Sequence, residues 1–311
     1  MSTLICGSIA YDTIMVFADR FKNHILPEKI HMLNVAFLVP EMRREFGGCA
    51  GNIAYTLKML GTEPIIMATV GDDAEPYLAR LDAMGMSRRH VRKVPDSFTA
   101  QAFITTDLDD NQITAFHPGA MNHSQLNAVG DASGVELGIV APDGRDGMIE
   151  HAQQFAAAGI PFIFDPGQGL PMFDGAELLR FIDAATYVTV NDYEAQLLQE
   201  RTGQTLESLA ASVQALIVTL GGAGSHIYSK GQRIEIPSVN PVAVIDPTGC
   251  GDAYRAGLLH GINAGMDWPT VGRLASLIGA LKIAHRGGQN HRFDRAEIGV
   301  RYREAFGSAL D

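Results

Sequence analysis

The chain has 311 residues, 46% of them apolar and 19% charged, enough for one large core with an appendage and hence one or two domains. Lys and Arg number 24 against 35 Asp and Glu, and the resulting formal charge of −11 is the wrong sign for a protein that tracks a nucleic-acid backbone. Three cysteines, Cys6, Cys49 and Cys250, are odd in number and form no C-x-x-C, which argues against a disulfide frame or zinc site and for a reducing cytoplasm.

The start has no cationic stretch and carries Asp12 among its apolar residues, so no secretory leader is expected; nor is any apolar run long enough for a membrane span. The first β-prone run, Leu4 to Ile9, leads to Asp12, as at the carboxyl end of a central strand where ligand groups collect. Two short β-type runs follow, Thr13 to Phe17 and Asn34 to Val39, joined by a polar link containing Pro27. Two more, Ala100 to Thr106 and Gln112 to His117, flank the acidic turn Asp107 to Asn111 and read as a hairpin. Together these four runs predict a small β lid inserted in two pieces, 13–40 and 99–117. The main domain takes 1–12, 41–98 and 118–311. Its further strands, at Pro64 to Val70, Glu136 to Ala141, Ile160 to Asp165, Thr186 to Val190 and Ala215 to Leu220, alternate with helical spacing. That order predicts an α/β fold with a mainly parallel, helix-covered sheet. Beyond Leu220 a polar meander leads to Asp246, after which helices dominate.

Gly is unusually common, 33 copies with no G-X-Y period, which means many tight turns or many loops that present backbone to a ligand. The strongest such loop is Asp246-Pro247-Thr248-Gly249-Cys250-Gly251-Asp252, followed by helical spacing. Small residues there let amide N–H groups converge on an anion at a helix start. Asp252 beside that nest either takes a proton from an attacking hydroxyl or merely caps the helix. Neither a P-loop nor a dinucleotide fingerprint is present; Tyr254 stands where the latter needs Gly. In Phe46-Gly47-Gly48-Cys49-Ala50-Gly51-Asn52, Asn52 either binds vicinal hydroxyls of a polyol or caps locally, and Asp12 carries the same pair of readings. Asn191 and Glu194 form a capping pair or a hydrated magnesium site. Thr219 to Gly224 is a flat place for adenine or simply a turn.

These pieces resemble the ribokinase-like (PfkB-type) carbohydrate kinase family. Gly47 to Ala54, with Gly61 and Gly71, matches its amino-terminal signature, and Asp246 to Leu259 its carboxy-terminal one, with Cys250 where Ala or Gly is commoner. Asn191-x-x-Glu194, the glycines after Leu220 and Arg286-Gly287-Gly288-Gln289 stand in the expected order. Phe37 to Asn52, Asp110 to Met121 and Phe164 to Leu170 are most similar to bacterial adenosine and inosine kinases. The resemblance implies a doubly wound sheet with a β lid, use of ATP and Mg²⁺, and phosphorylation of a ribose 5′-hydroxyl. It implies Asp252 as base, the amides of Gly249, Cys250 and Gly251 as anion hole, and Asp12, Gly48 and Asn52 on the ribose. Asn191 and Glu194 would order Mg²⁺ through water, and Thr219, Gly221, Gly222 and Gly224 would line ATP. Asp246 with the carbonyl of Thr248 would hold a potassium ion.

Phe37, Phe103, Phe116 and His117 either pack on a purine or form lid core, and Gln168, after a strand end, is a candidate to read a base or ribose edge. A free-sugar kinase would share the catalytic residues, and a non-catalytic nucleoside-binding protein would lack the base. An NAD-dependent oxidoreductase would need the missing fingerprint. The open edge of the lid sheet invites pairing into a homodimer.

Overall fold

Apolar residues that alternate between two sheet faces dictate the architecture. The computed structural model describes residues 2–25, 34–109 and 111–310; Pro27 of the lid link and Asp110 of the acidic turn lie outside them. The described strands are β1 (Ser2–Cys6), β2 (Ala10–Val16), β3 (Glu41–Gly47), β4 (Glu63–Val70), β5 (Val91–Lys93), β6 (Ala100–Thr106), β7 (Gln112–His117), β8 (Val135–Val140), β9 (Phe162–Phe164), β10 (Tyr187–Asn191), β11 (Ala215–Thr219), β12 (Ser225–Ser229) and β13 (Gln232–Ile236). The helices are α1 (Cys49–Leu60), α2 (Glu75–Ala83), α3 (Arg145–Ala158), α4 (Gly175–Ala184), α5 (Asp192–Thr202), α6 (Leu206–Ala210), α7 (Cys250–Asn263), α8 (Trp268–Ile283) and α9 (Arg295–Phe306).

Nine strands form the main sheet in the order β13-β12-β11-β10-β9-β8-β1-β4-β5, parallel from β11 through β5, with β12 and β13 antiparallel at one end. Ile5, Ile139, Ile163 and Ile217 face one layer, where Ile53 and Leu57 of α1, Leu258 and Leu259 of α7 and Val271 of α8 meet them. Their chain neighbours Leu4, Cys6, Val140, Phe162, Phe164 and Leu216 face the other, under Phe155 of α3, Phe181 of α4 and Leu198 of α5. Both sheet faces are thus covered, as the expected doubly wound fold requires. The chain leaves β1 toward β4 on one side and returns to β8 on the other. A crevice therefore opens at the carboxyl end of β1, where the direction of winding switches.

The lid is a second sheet, ordered β3-β2-β6-β7, with β2 and β6 parallel and the outer pairs antiparallel. One expectation fails here. Residues 34–39 form no strand; the first insertion returns through Glu41–Gly47, which the sequence reading had placed in the main domain. Pro40, lacking an N–H, precedes the strand, and the charges of Glu41, Arg43, Arg44 and Glu45 disguise its alternation on a half-exposed sheet. The acidic hairpin turn is organised by Asp107, whose carboxylate accepts the amides of Phe21, Asp109 and Asn111 at 2.9 Å each.

Candidate active site

Two helix starts converge on the crevice. The first turn of α1 docks on the end of β1: the Ser8 carbonyl accepts the Ala50 amide at 3.0 Å and the Ser8 hydroxyl accepts the Cys49 amide at 3.1 Å. Gly48 makes this possible. Its φ is +84°, and a Cβ there would lie 2.5 Å from the Ser8 carbonyl oxygen, so only glycine suits the position. Gly249, at φ 75°, turns the chain into α7. The amides of Gly249 and Gly251 have no protein acceptor among the described residues and remain available to an anion, as the first N–H groups of a helix are. The Cys250 amide instead donates to the Pro247 carbonyl at 3.1 Å, so this member of the expected anion hole is used inside the turn.

Asp252, half-buried in the first turn of α7, accepts a 2.8 Å bond from the Asn52 amide. Asn52 is buried and its Oδ1 accepts from Gln289 Nε2 at 3.1 Å; Gln289 in turn donates to the Tyr77 hydroxyl at 2.6 Å, which donates to the Gly47 carbonyl at 2.7 Å. Asn52 is thus a link that aims Asp252, and its amide keeps one further N–H donor and one further lone pair beyond these two bonds. Desolvation raises the Asp252 carboxyl above the ordinary range, opposed by the Asn52 bond and by Arg255. Across the crevice Asp12, on β2 of the lid, is pushed up to about 6, first by desolvation and then by the negative charge of Asp252, Asp246 and Glu45. Two carboxylates from different parts of the fold are therefore coupled through their charge.

Farther along the sheet edge, Asn191 and Glu194 form a reciprocal cap: Asn191 Oδ1 accepts the Glu194 amide at 2.7 Å and Glu194 Oε2 accepts the Asn191 amide at 2.8 Å. The capping role is real and leaves Glu194 Oε1 outside it, an oxygen donor suited to water-mediated Mg²⁺. Desolvation and Asp165 raise the Glu194 carboxyl. A pair missed from the sequence lies between these groups. Arg255, one turn beyond Asp252, donates to Asp165 at the end of β9 through Nε at 2.8 Å and a second nitrogen at 3.0 Å, with both side chains almost fully buried. Burial opposes the charge of Arg255, but Asp165 outweighs it. An Arg inside the otherwise apolar run Ala253 to Leu259 was the available signal. Thr219 ends β11, and Gly221 and Gly222 are exposed with open space around them. Gly224 is buried instead, and a Cβ there would strike the Ile236 carbonyl, so close packing against that chain already requires glycine there.

Asp246 accepts the amides of Thr248 at 2.9 Å and Gly287 at 2.8 Å; burial works against its charge, yet these bonds keep it below the usual carboxylate range. Its main-chain carbonyl accepts a 2.7 Å bond from the buried ammonium of Lys282. That neighbourhood already holds a cation and does not fit the potassium ion that was expected.

The lid aromatics do not converge. Asp12 pairs with Ala102, and Ala102 with Phe116, so Asp12 and Phe116 share one sheet face; Phe103 pairs with Thr13 and Ala115 on the opposite face. Phe103 therefore cannot stack on a ligand that Asp12 holds. Phe37 packs against Phe17 and Phe21, with ring centroids 4.8 and 5.1 Å apart, and His117 meets Phe98 edge-on. Gln168 is exposed in the short turn after β9.

Residues 9–294 match the pfkB family carbohydrate kinase profile. The chain is 33% identical over 271 residues to a nucleoside kinase of Methanocaldococcus jannaschii, covering 85% of this chain and 87% of that protein. It also superposes on Burkholderia thailandensis nucleoside kinase in complex with inosine, with a TM-score of 0.91 and 58% identity over 99% of both chains. The complex of that enzyme with ADP-inosine gives a TM-score of 0.88 and 59% identity, over 99% of this chain and 97% of that one. With its two glycine-rich helix starts, its β lid and a profile match over most of its length, the chain belongs to the pfkB family of carbohydrate kinases.

Proposed function

We propose that the protein transfers the γ-phosphoryl group of ATP to the 5′-hydroxyl of a purine nucleoside, adenosine or inosine. One observation carries this reading: a carboxylate of raised pKa, Asp252, stands beside the amides of Gly249 and Gly251, which have no protein acceptor among the described residues, and is aimed by Asn52. The inosine and ADP-inosine complexes of the Burkholderia enzyme support the substrate class. Asp252 accepts the proton of the attacking hydroxyl as the oxygen bonds to phosphorus and the bond to the ADP oxygen breaks. The two amides meet the charge spread over the transferring oxygens. Asp12 and the Gly48 turn hold the ribose hydroxyls, and Phe116 lies on the face turned toward the base. Thr219, Gly221 and Gly222 line the nucleotide. Glu194, with Asn191 fixing its direction, would hold Mg²⁺ through water, and the metal when bound neutralises phosphate charge.

A cytoplasmic setting belongs to the same proposal, since all three cysteines are free thiols; among the described residues no helix is long and apolar enough to cross a membrane. The lid's edge strand β7 is exposed along its whole length, which supports a homodimer paired through the lid, checked by sedimentation equilibrium. The deciding assay measures ATP-dependent phosphorylation of adenosine, inosine, guanosine, cytidine, ribose and fructose. Preference for a free sugar would replace the nucleoside reading with a sugar-kinase one. Asp252→Asn is expected to lower kcat by on the order of 10²-fold or more with little change in nucleoside KM; turnover within a few-fold of the parent would remove Asp252 as the base.

A further inference from the structure

Lys282, in the last turn of α8, has a fully buried side chain, and its Nζ lies 2.7 Å from the Asp246 carbonyl oxygen and 3.2 Å from that of His285. Carbonyl oxygens only accept, so both bonds are donated by the ammonium. It thereby ties together two loops that flank Asp252. On one, the Asp246 carboxylate accepts the amides of Thr248 and Gly287 just before the Gly249 turn. On the other, Gly288 lies directly against the Asn52 side chain that aims Asp252. Burial pulls Lys282 below the ordinary lysine range, while Cys250, Asp246 and Asp252 favour its charged form.

An ammonium and a potassium ion carry the same charge and seek the same carbonyl oxygens. A tethered ammonium already bonded to the Asp246 carbonyl both fills that position and repels a second cation. We propose that Lys282 is the resident monovalent cation beside the anion-binding turn, so that the protein works without potassium. Lys282 is then a positioning residue, setting the loops that present Gly249, Gly251 and Asn52.

The inference rests on the kinase reading, and its test separates the two. Initial rates are measured in choline chloride, NaCl and KCl at equal ionic strength. The parent protein is expected to vary by less than about twofold among them, and activation by K⁺ of more than about fivefold would overturn the proposal. Lys282→Met is expected to lose at least about tenfold in kcat in choline chloride and to regain part of it in KCl. Parental turnover by that variant in choline chloride would also overturn it. Thermal melting of the parent protein gives a readout independent of activity and of how the variant folds. Its Tm in KCl is expected to match that in choline chloride within about 1 °C, whereas a K⁺-specific rise above about 3 °C would show a bound ion and refute the assignment. Absence of phosphorylation in every salt would defeat the kinase reading, while the melting comparison would still decide the cation.

Discussion

Asp12 and Asp252 set the terms of the site at the level of single residues. Asp12 titrates near 6 in the folded chain, above the 3.8 of a free carboxyl, so between those values the native state binds the proton more tightly than the unfolded one. Stability contributed at this position therefore falls as pH rises through 6, and above it the full cost of the crowded carboxylate is felt. Asp12→Asn should accordingly stabilise the protein by about 1 to 2 kcal/mol at pH 8, after allowance for solvent screening, and by little at pH 4, as measured by urea unfolding. On the proposed reading, the same change also removes an ionised acceptor for ribose hydroxyls. Nucleoside KM should rise about tenfold or more at pH 8 while kcat changes less. For the unmodified protein, KM should climb as pH drops below 6 and Asp12 gains its proton. A variant both less stable and unchanged in KM would show that Asp12 neither crowds the site nor touches the sugar.

At the scale of one element, α7 combines a reactive first turn with a buried anchor. Asp252 faces the crevice, and three residues later Arg255 reaches beneath the turn to Asp165, just beyond β9. Arg255→Met would leave Asp165 as an uncompensated buried charge and should cost about 3 to 5 kcal/mol in urea unfolding. Arg255→Met combined with Asp165→Leu should recover much of that loss, since the penalty lies in the orphaned partner. If the single variant lost under 1 kcal/mol or so, the pair would be too solvated to anchor the helix. Elements of this kind mark the limit of sequence reading. The main strands and the start of α7 were legible because alternation, glycines and a carboxylate are local signals. The Arg255 to Asp165 pair was not, because its partners are 90 positions apart and nothing local announces that they meet. The bond from Gln289 to the Asn52 amide is hidden for the same reason, since its partners lie 237 positions apart.

Across the whole molecule, the lid distributes its residues by sheet face, a property that sequence spacing reveals only when the register is known. Phe103 and Phe116 read as equivalent aromatics, yet pairing through Ala102 puts Phe116 alone on the side of Asp12. Phe116→Ala should raise nucleoside KM several-fold and Phe103→Ala should leave it unchanged, in side-by-side steady-state assays. The reverse result would mean that the base lies on the other face. The strand at Glu41–Gly47 was missed for a related reason: a half-exposed lid strand tolerates charge where a core strand does not. The connection between the two sheets has a mechanical consequence. Only Gly7, Ser8 and Ile9 separate β1 from β2, so the lid is joined to the main sheet at an interior strand rather than at its rim. Ser8 in this link also grips the first turn of α1. The lid strand and the helix start are thus coupled through one residue: a displacement of Ser8 would be felt both at β2, which carries Asp12, and at the Gly48 turn.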